Sequence, residues 1–184
     1  RRAMIAFFPP RTLSTLRSMP ATRPNVIIFL TDDQGYGDLS CMGCEDFRTP
    51  SLDRMAQNGA RFTDWYSNSP VCSPSRAALL SGRYPGNAGI RVILRGHRST
   101  PGLPQSTTTL ATMLGDAGYQ TGAVGKLHVY PPRDRIGFDE VVSMEEGRPQ
   151  LGGPDDWELW LSDHGMAGLG HAHAMVNLGV CFDN

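Results

Sequence analysis

Cys72-Ser73-Pro74-Ser75-Arg76-Ala77-Ala78-Leu79-Leu80-Ser81-Gly82-Arg83 is the stretch on which the reading of this chain turns. Proline is favoured in the first turn of a helix, where its missing N–H removes no hydrogen bond. Ala77 to Leu80 propagate that helix, and Gly82 is placed to stop it. Cys72 is therefore predicted to lie just ahead of a helix N-terminus, where unsatisfied N–H groups and the helix dipole favour a bound anion. Arg76, one turn further on, can offer its guanidinium to the same anion. A reactive side chain facing an oxyanion site is the reading these residues support, against that of a buried apolar thiol.

Working outward, Val26-Ile27-Ile28-Phe29-Leu30 is a short, continuously apolar, β-branched run of the kind found in central strands covered on both faces. It predicts an α/β sheet with parallel strands. Thr31-Asp32-Asp33-Gln34-Gly35 follows at the carboxyl end of that strand, where open α/β sheets place their ligand sites. The adjacent carboxylates of Asp32 and Asp33 repel each other and call for a cation or a cluster of donors. Their hard oxygens suit Ca²⁺ or Mg²⁺, and a helix cap or polar turn is the plainer alternative. Thr49-Pro50 opens a predicted helix that ends at Gly59. Ala60 to Tyr66 reads as a strand with Phe62 and Trp65 as core candidates, and the chain then runs to Cys72.

Downstream, Tyr84 to Gln105 reads as a loop made basic by Arg91, Arg95, His97 and Arg98, fitting either an anionic substrate or plain solvation. Thr108 to Leu114 is a predicted helix closing near Gly118, and Tyr119 to Val124 a strand. Gly125-Lys126-Leu127-His128 stands at the end of that strand. In extended chain Lys126 and His128 point to the same side, and together they can hold an anion and move protons. Asp155 to Leu161 carries Trp157, Trp160 and Leu161 at helical spacing. Ser162-Asp163-His164-Gly165 reads as that helix's C-terminus, with Gly165 as the stop, against the alternative of metal ligands at Asp163 and His164. Gly170-His171-Ala172-His173 has metal-binding residue types without a partner motif.

Cys72-x-Pro74-Ser75-Arg76, extended by Leu79, Gly82 and Arg83, resembles the signature of the type I, formylglycine-dependent sulfatases of the alkaline-phosphatase-like superfamily. Asp32-Asp33 is similar to that family's metal-binding aspartates. Gly125-Lys126-Leu127-His128 is similar to its Gly-Lys-Trp-His element, with Leu127 in place of the tryptophan, and Gly137-Phe138-Asp139 resembles the loop that follows. The resemblance runs from about Asn25 to at least Asp139. It implies an α/β three-layer sandwich with a mostly parallel central sheet. It also implies that Cys72 is converted by a formylglycine-generating maturation enzyme to an aldehyde, whose hydrate is held on Ca²⁺ or Mg²⁺ by Asp32, Asp33 and residue 72 itself.

On that pattern one hydroxyl of the hydrate attacks sulfur in line and displaces the alcohol. Arg76, Lys126 and the cation stabilise charge on the sulfuryl oxygens. The second hydroxyl, deprotonated by His128, then expels sulfate and regenerates the aldehyde. The implied substrate is a sulfated small molecule or carbohydrate. The same apparatus would serve a phosphonate or phosphate monoesterase, and a non-catalytic remnant that binds a sulfated ligand is a third reading.

Composition bounds these readings. With 184 residues and 40% hydrophobic content, the chain is long enough for one sizeable core. A net charge of −1 gives no reason to expect nucleic acid or a membrane surface as partner. The four cysteines, Cys41, Cys44, Cys72 and Cys181, are too few for a disulfide scaffold. Cys41-x-x-Cys44 has the spacing of a redox or half-zinc motif, with no second such pair. If Cys72 is modified, the three remaining thiols mildly favour a reducing compartment.

Residues 1–18 carry Arg1, Arg2, Arg11 and Arg17 and no acid, and read as a leader or an extension upstream of a start at Met19. A cytoplasmic location follows if Met19 is the start, and export is the alternative. Residues 19–184 read as the N-terminal part of a catalytic domain. No later metal-binding Asp/Asn pair and no later Lys and His to protonate the leaving group were identified, so the chain alone is expected to show little or no turnover.

Overall fold

The computed structural model describes residues 23–94, 102–129, 134–145 and 153–167, with the backbone of Ile5–Ala6. The basic residues Arg95, His97 and Arg98 and the His171-Ala172-His173 tract lie outside the described residues. The chain divides into two compact units, Arg1–Ser67 and Asn68–Asn184.

In the first unit, β1 (Ile5–Ala6) pairs antiparallel with β2 (Ala60–Arg61), and α1 spans Pro50–Asn58. Thr49 precedes α1 and Pro50 opens it, as the sequence predicts, but Thr49 does not cap with its side chain. Its Oγ1 instead accepts from the Ser40 N–H at 3.0 Å and contacts the Asp53 carboxylate at 3.3 Å. This ties the 3-10 turn Ser40–Met42 to the helix. The Ser40 hydroxyl also donates to Asp53 at 2.7 Å, and that bond is the main reason the Asp53 carboxyl sits below its ordinary pKa.

Two expectations fail in this unit. Val26–Leu30 forms no strand, and its side chains are 43% to 75% exposed. A buried strand is stabilised by pairing and cross-strand packing, and the only ladder described in this unit is β1–β2. The second predicted strand is confined to Ala60–Arg61. Phe62 and Trp65 lie against each other with ring centroids 5.0 Å apart, but Trp65 is 41% exposed and so no core residue.

In the second unit, α2 (Cys72–Ser81) ends on Gly82, whose left-handed φ of 65° suits a residue without a Cβ. A short helix, α3 (Pro85–Ala88), interrupts the predicted loop and packs against α2. Ala77 and Ala88 are buried, small enough for the two helices to approach. Ile90, Leu94, Leu103 and Val129 join them in the core, and Leu80, Leu127 and Ile136 pack on its edge. Burying a side chain such as Ile90 or Leu94 is worth about 1.5–3 kcal/mol. Leu127, where the resemblance leads to the expectation of tryptophan, thus serves this core as an aliphatic residue.

α4 (Leu110–Asp116) starts on Thr109, whose side chain accepts from the Thr112 N–H, and Gly118 closes it with φ 84°. β3 (Gly122–Gly125) and β4 (Glu140–Ser143) then pair in parallel, with Gly122 opposite Glu140 and Gly125 opposite Ser143. Asp139 clips their amino ends together. Its Oδ2 accepts from the Thr121 N–H at 2.7 Å and the Thr121 hydroxyl at 3.0 Å.

α5 (Asp156–Asp163) begins one residue later than predicted because Asp155 is its N-cap, forming a reciprocal capping box with Glu158. Gly165, with φ 72°, lies at its end as expected. Leu161 is the buried contact, whereas Trp157 and Trp160 stack on each other 5.3 Å apart and stay 43% and 45% exposed.

Candidate functional site

Cys72 is buried at 8% exposure and is the first residue of α2 rather than the residue before it. Val71, in extended conformation, takes the N-cap position. Ser73 and Pro74 are also buried, so the first turn of α2 faces protein, with Cys72 at the amino end where the helix dipole is positive. Arg76, 9% exposed, turns its guanidinium to the backbone carbonyl of Lys126. That hydrogen bond joins the start of α2 to the carboxyl end of β3 across fifty residues of sequence.

Lys126 and His128 follow β3, as the sequence predicts, but not in extended chain. His128 has φ 50°, in the left-handed region, while Lys126 is half-buried and His128 only 2% exposed. The two side chains are therefore not related by simple strand alternation. The His128 ring is placed by Nε2, 2.8 Å from the Leu94 carbonyl oxygen. A carbonyl only accepts, so Nε2 carries the proton and Nδ1 is the basic nitrogen of the neutral ring. Leu94 is held in turn from the other side, because its N–H donates to the Ser73 hydroxyl at 3.0 Å. One residue of the chain thus links the first turn of α2 to the histidine ring.

Glu145 was not among the residues that the sequence singled out. Its Oε1 accepts from the Leu127 N–H at 2.9 Å and from the His128 N–H at 3.1 Å, and its Oε2 lies 3.1 Å from the same His128 N–H. Burial pushes its carboxyl above the ordinary value. The two backbone N–H groups and the positive charges of Arg76 and Lys126 pull the other way. A readable signal existed, since Glu145 lies two residues beyond the carboxyl end of a short β-branched strand, where ligand-side residues of α/β sheets collect.

Asp32 and Asp33 belong to the first unit. Both are exposed, and Asp33 adopts φ 51°. Nearby, Asp38 accepts from the Gly35 N–H and so belongs to the turn that follows. The two aspartates supply hard oxygen donors suited to Ca²⁺ or Mg²⁺. Among the described residues no group of three or more His, Cys, Asp or Glu is gathered that could hold a metal ion, and Asp32 and Asp33 by themselves do not make up such a group. Cys41 and Cys44 are free thiols in the first unit. Burial, followed by the neighbouring Asp53 charge, raises the Cys41 pKa, which makes it a poor thiolate.

The Sulfatase family model matches residues 24–177. Human steryl-sulfatase is 40% identical over 134 residues, covering 70% of this chain and 23% of the relative. Human arylsulfatase A is 45% identical over 109 residues, covering 59% of this chain and 22% of the relative. The chain therefore spans less than a quarter of the length of these relatives. A solved structure of BT4656 in complex with its substrate D-glucosamine-2-N,6-O-disulfate superposes with a TM-score of 0.58 at 32% identity, covering 65% of this chain and 23% of that one. The architecture is that of the alkaline-phosphatase-like α/β fold, of which the β3–β4 parallel pair and its helices are a part. The chain belongs to the sulfatase family.

Proposed function

We propose that this chain carries the nucleophile-bearing part of a sulfuric ester hydrolase acting on a sulfated small molecule or carbohydrate. The observation that carries the reading is the Arg76–Lys126 hydrogen bond, which brings the Cys72 helix and the Lys126–His128 segment to one place. Family membership and the sulfated sugar bound by BT4656 support the substrate class.

In this reading Cys72 is the precursor of a formylglycine made by a maturation enzyme, and its hydrate supplies the nucleophile. A divalent cation, Ca²⁺ or Mg²⁺, would be held in part by Asp32 and Asp33, and supplies Lewis acidity toward sulfuryl oxygens. The chain's own residues do the rest. Arg76 anchors the Lys126 carbonyl and brings a fixed positive charge, while the Lys126 ammonium compensates negative charge on the transferring group. His128, with Nε2 committed to Leu94, takes up the proton from residue 72 through Nδ1. Expulsion of sulfate then needs no water to attack the modified residue.

Turnover of an aryl sulfate by the 184-residue chain alone is expected to be little or none, since its metal shell is partial among the described residues. Anion binding is the direct test. Charge-assisted hydrogen bonds are worth about 1.5–3 kcal/mol, so Lys126→Ala is expected to weaken binding of inorganic sulfate to the matured chain about tenfold or more. Inorganic phosphate, titrated in parallel, tests the phosphoester alternative. Equal sulfate affinity in the variant, or binding of phosphate alone, contradicts the proposal.

A further inference from the structure

β3 and β4 are parallel and in register, so the residues just beyond Gly125 and just beyond Ser143 emerge at the same edge of the pair. On one side this delivers Lys126, Leu127 and His128, and on the other Glu145. The Met144 N–H donates to the Gly125 carbonyl at 3.1 Å, carrying the ladder one step past β4. The Glu145 N–H donates to Asp155 Oδ2 at 2.6 Å, and Asp155 is the buried N-cap of α5. The Ser143 N–H and hydroxyl both donate to Asp156 Oδ2, at 2.6 and 2.8 Å. The amino end of α5 therefore fixes the backbone from which Glu145 projects.

We infer that Glu145 is a positioning residue for the sulfatase site. By accepting the consecutive N–H groups of Leu127 and His128, its carboxylate holds the left-handed turn that sets the His128 ring on the Leu94 carbonyl. A non-glycine residue at φ 50° is strained and persists only where its surroundings over-determine it. Here the Lys126 carbonyl is held by Arg76, the two following N–H groups by Glu145, and the ring by Leu94. Of these holds, only that of Glu145 acts on the N–H of the strained residue itself.

The carboxylate also lies within electrostatic reach of the cations Arg76 and Lys126, while Asp155 on α5 accepts from the Glu145 backbone N–H. This assignment rests on the sulfatase reading for its purpose, but not for its geometry.

The test uses the whole chain labelled with ¹⁵N, in wild-type, Glu145→Ala and Glu145→Gln forms. Amide hydrogen exchange is followed at Leu127, His128 and, for comparison, Val124 in β3, with the His128 ring ¹⁵N shifts as a second readout. In Glu145→Ala, exchange at Leu127 and His128 is expected to quicken at least about tenfold relative to Val124, and the ring to lose its single Nε2–H form. In Glu145→Gln both amides are expected to stay within about threefold of wild type, because Oε1 alone can accept from both N–H groups.

Wild-type exchange and ring shifts in Glu145→Ala would overturn the inference, as would an acceleration spread evenly to Val124. If Glu145→Ala does not fold, Glu145→Gln decides: retained protection supports the inference, and loss of protection at Leu127 and His128 in a folded chain refutes it. Failure of Cys72 to mature would remove the sulfatase reading while leaving these exchange rates untouched.

Discussion

Ser73 is the second residue of α2 and is fully buried, with its hydroxyl accepting from the Leu94 N–H at 3.0 Å. Leu94 is itself 1% exposed, so in Ser73→Ala its N–H is left in the core without that acceptor. An unsatisfied buried donor costs about 1–3 kcal/mol, whereas the gain in helix propensity from alanine is about 0.5 kcal/mol or less. The net loss is therefore about 2 kcal/mol. For a chain of 184 residues that lowers Tm by about 4–8 °C. The Leu94 carbonyl holds His128 Nε2, so the same variant is also expected to broaden the His128 ring signals.

Thermal and urea unfolding of Ser73→Ala, beside the exposed control Ser51→Ala, checks the magnitude. A loss below about 0.5 kcal/mol in both would refute the reasoning, because surface substitutions fall within that range.

Two further outcomes follow from the same unit. Gly137 has φ 94°, and a Cβ there would collide with the Thr112 hydroxyl, fall 2.7 Å from Thr109 Oγ1 and 2.9 Å from the Thr112 N. Gly137→Ala is expected to cost about 2 kcal/mol or more, adding overpacking to backbone strain. Gly165→Ala, also at positive φ but in open space, should cost less, and equal urea midpoints for the two would contradict this.

Asp139 is held below the ordinary carboxylate pKa of about 3.9, first by the Thr121 backbone N–H, then by its hydroxyl, with Arg135 adding to both. A depressed folded-state pKa contributes stability that is present above the ordinary value and lost as pH falls below it. Asp139→Asn should therefore lose less stability than wild type on acidification below about pH 4, and parallel pH–stability curves would show that the clip carries no such linkage.

Local signals were legible where one residue type decides the geometry. Pro50 and Gly82 mark helix ends that the structure keeps, and Lys126 and His128 stand just beyond a strand as predicted. What depended on distant partners was not legible. Val26–Leu30 has the composition of a central strand, but composition states a demand for neighbours and does not provide them. Trp65 read as a core candidate within its predicted strand, yet packing left it 41% exposed.

At the site, the Cys72 motif pointed to a candidate nucleophile position but not to the network beneath it. Leu94 acts through its own backbone N–H and carbonyl, and Ser73 and Glu145 accept from the backbone N–H groups of Leu94, Leu127 and His128, groups that nearly every residue carries and no motif marks. The position of Glu145 past a β-branched run was readable, but its partners became visible only once β3 and β4 were seen side by side in register. His128 was legible as a residue, while its tautomer and left-handed backbone followed only from the Leu94 contact and the fold.

The central claim concerns the fate of residue 72. It is tested most directly by coexpressing this chain with a formylglycine-generating enzyme and measuring the mass of the peptide that contains Cys72-Ser73-Pro74-Ser75-Arg76. The account predicts that the thiol is lost and an aldehyde, trapped by a hydrazide reagent, appears at that position and not at Cys41 or Cys44. An unmodified Cys72 under conditions in which the enzyme converts a control sulfatase peptide would contradict it.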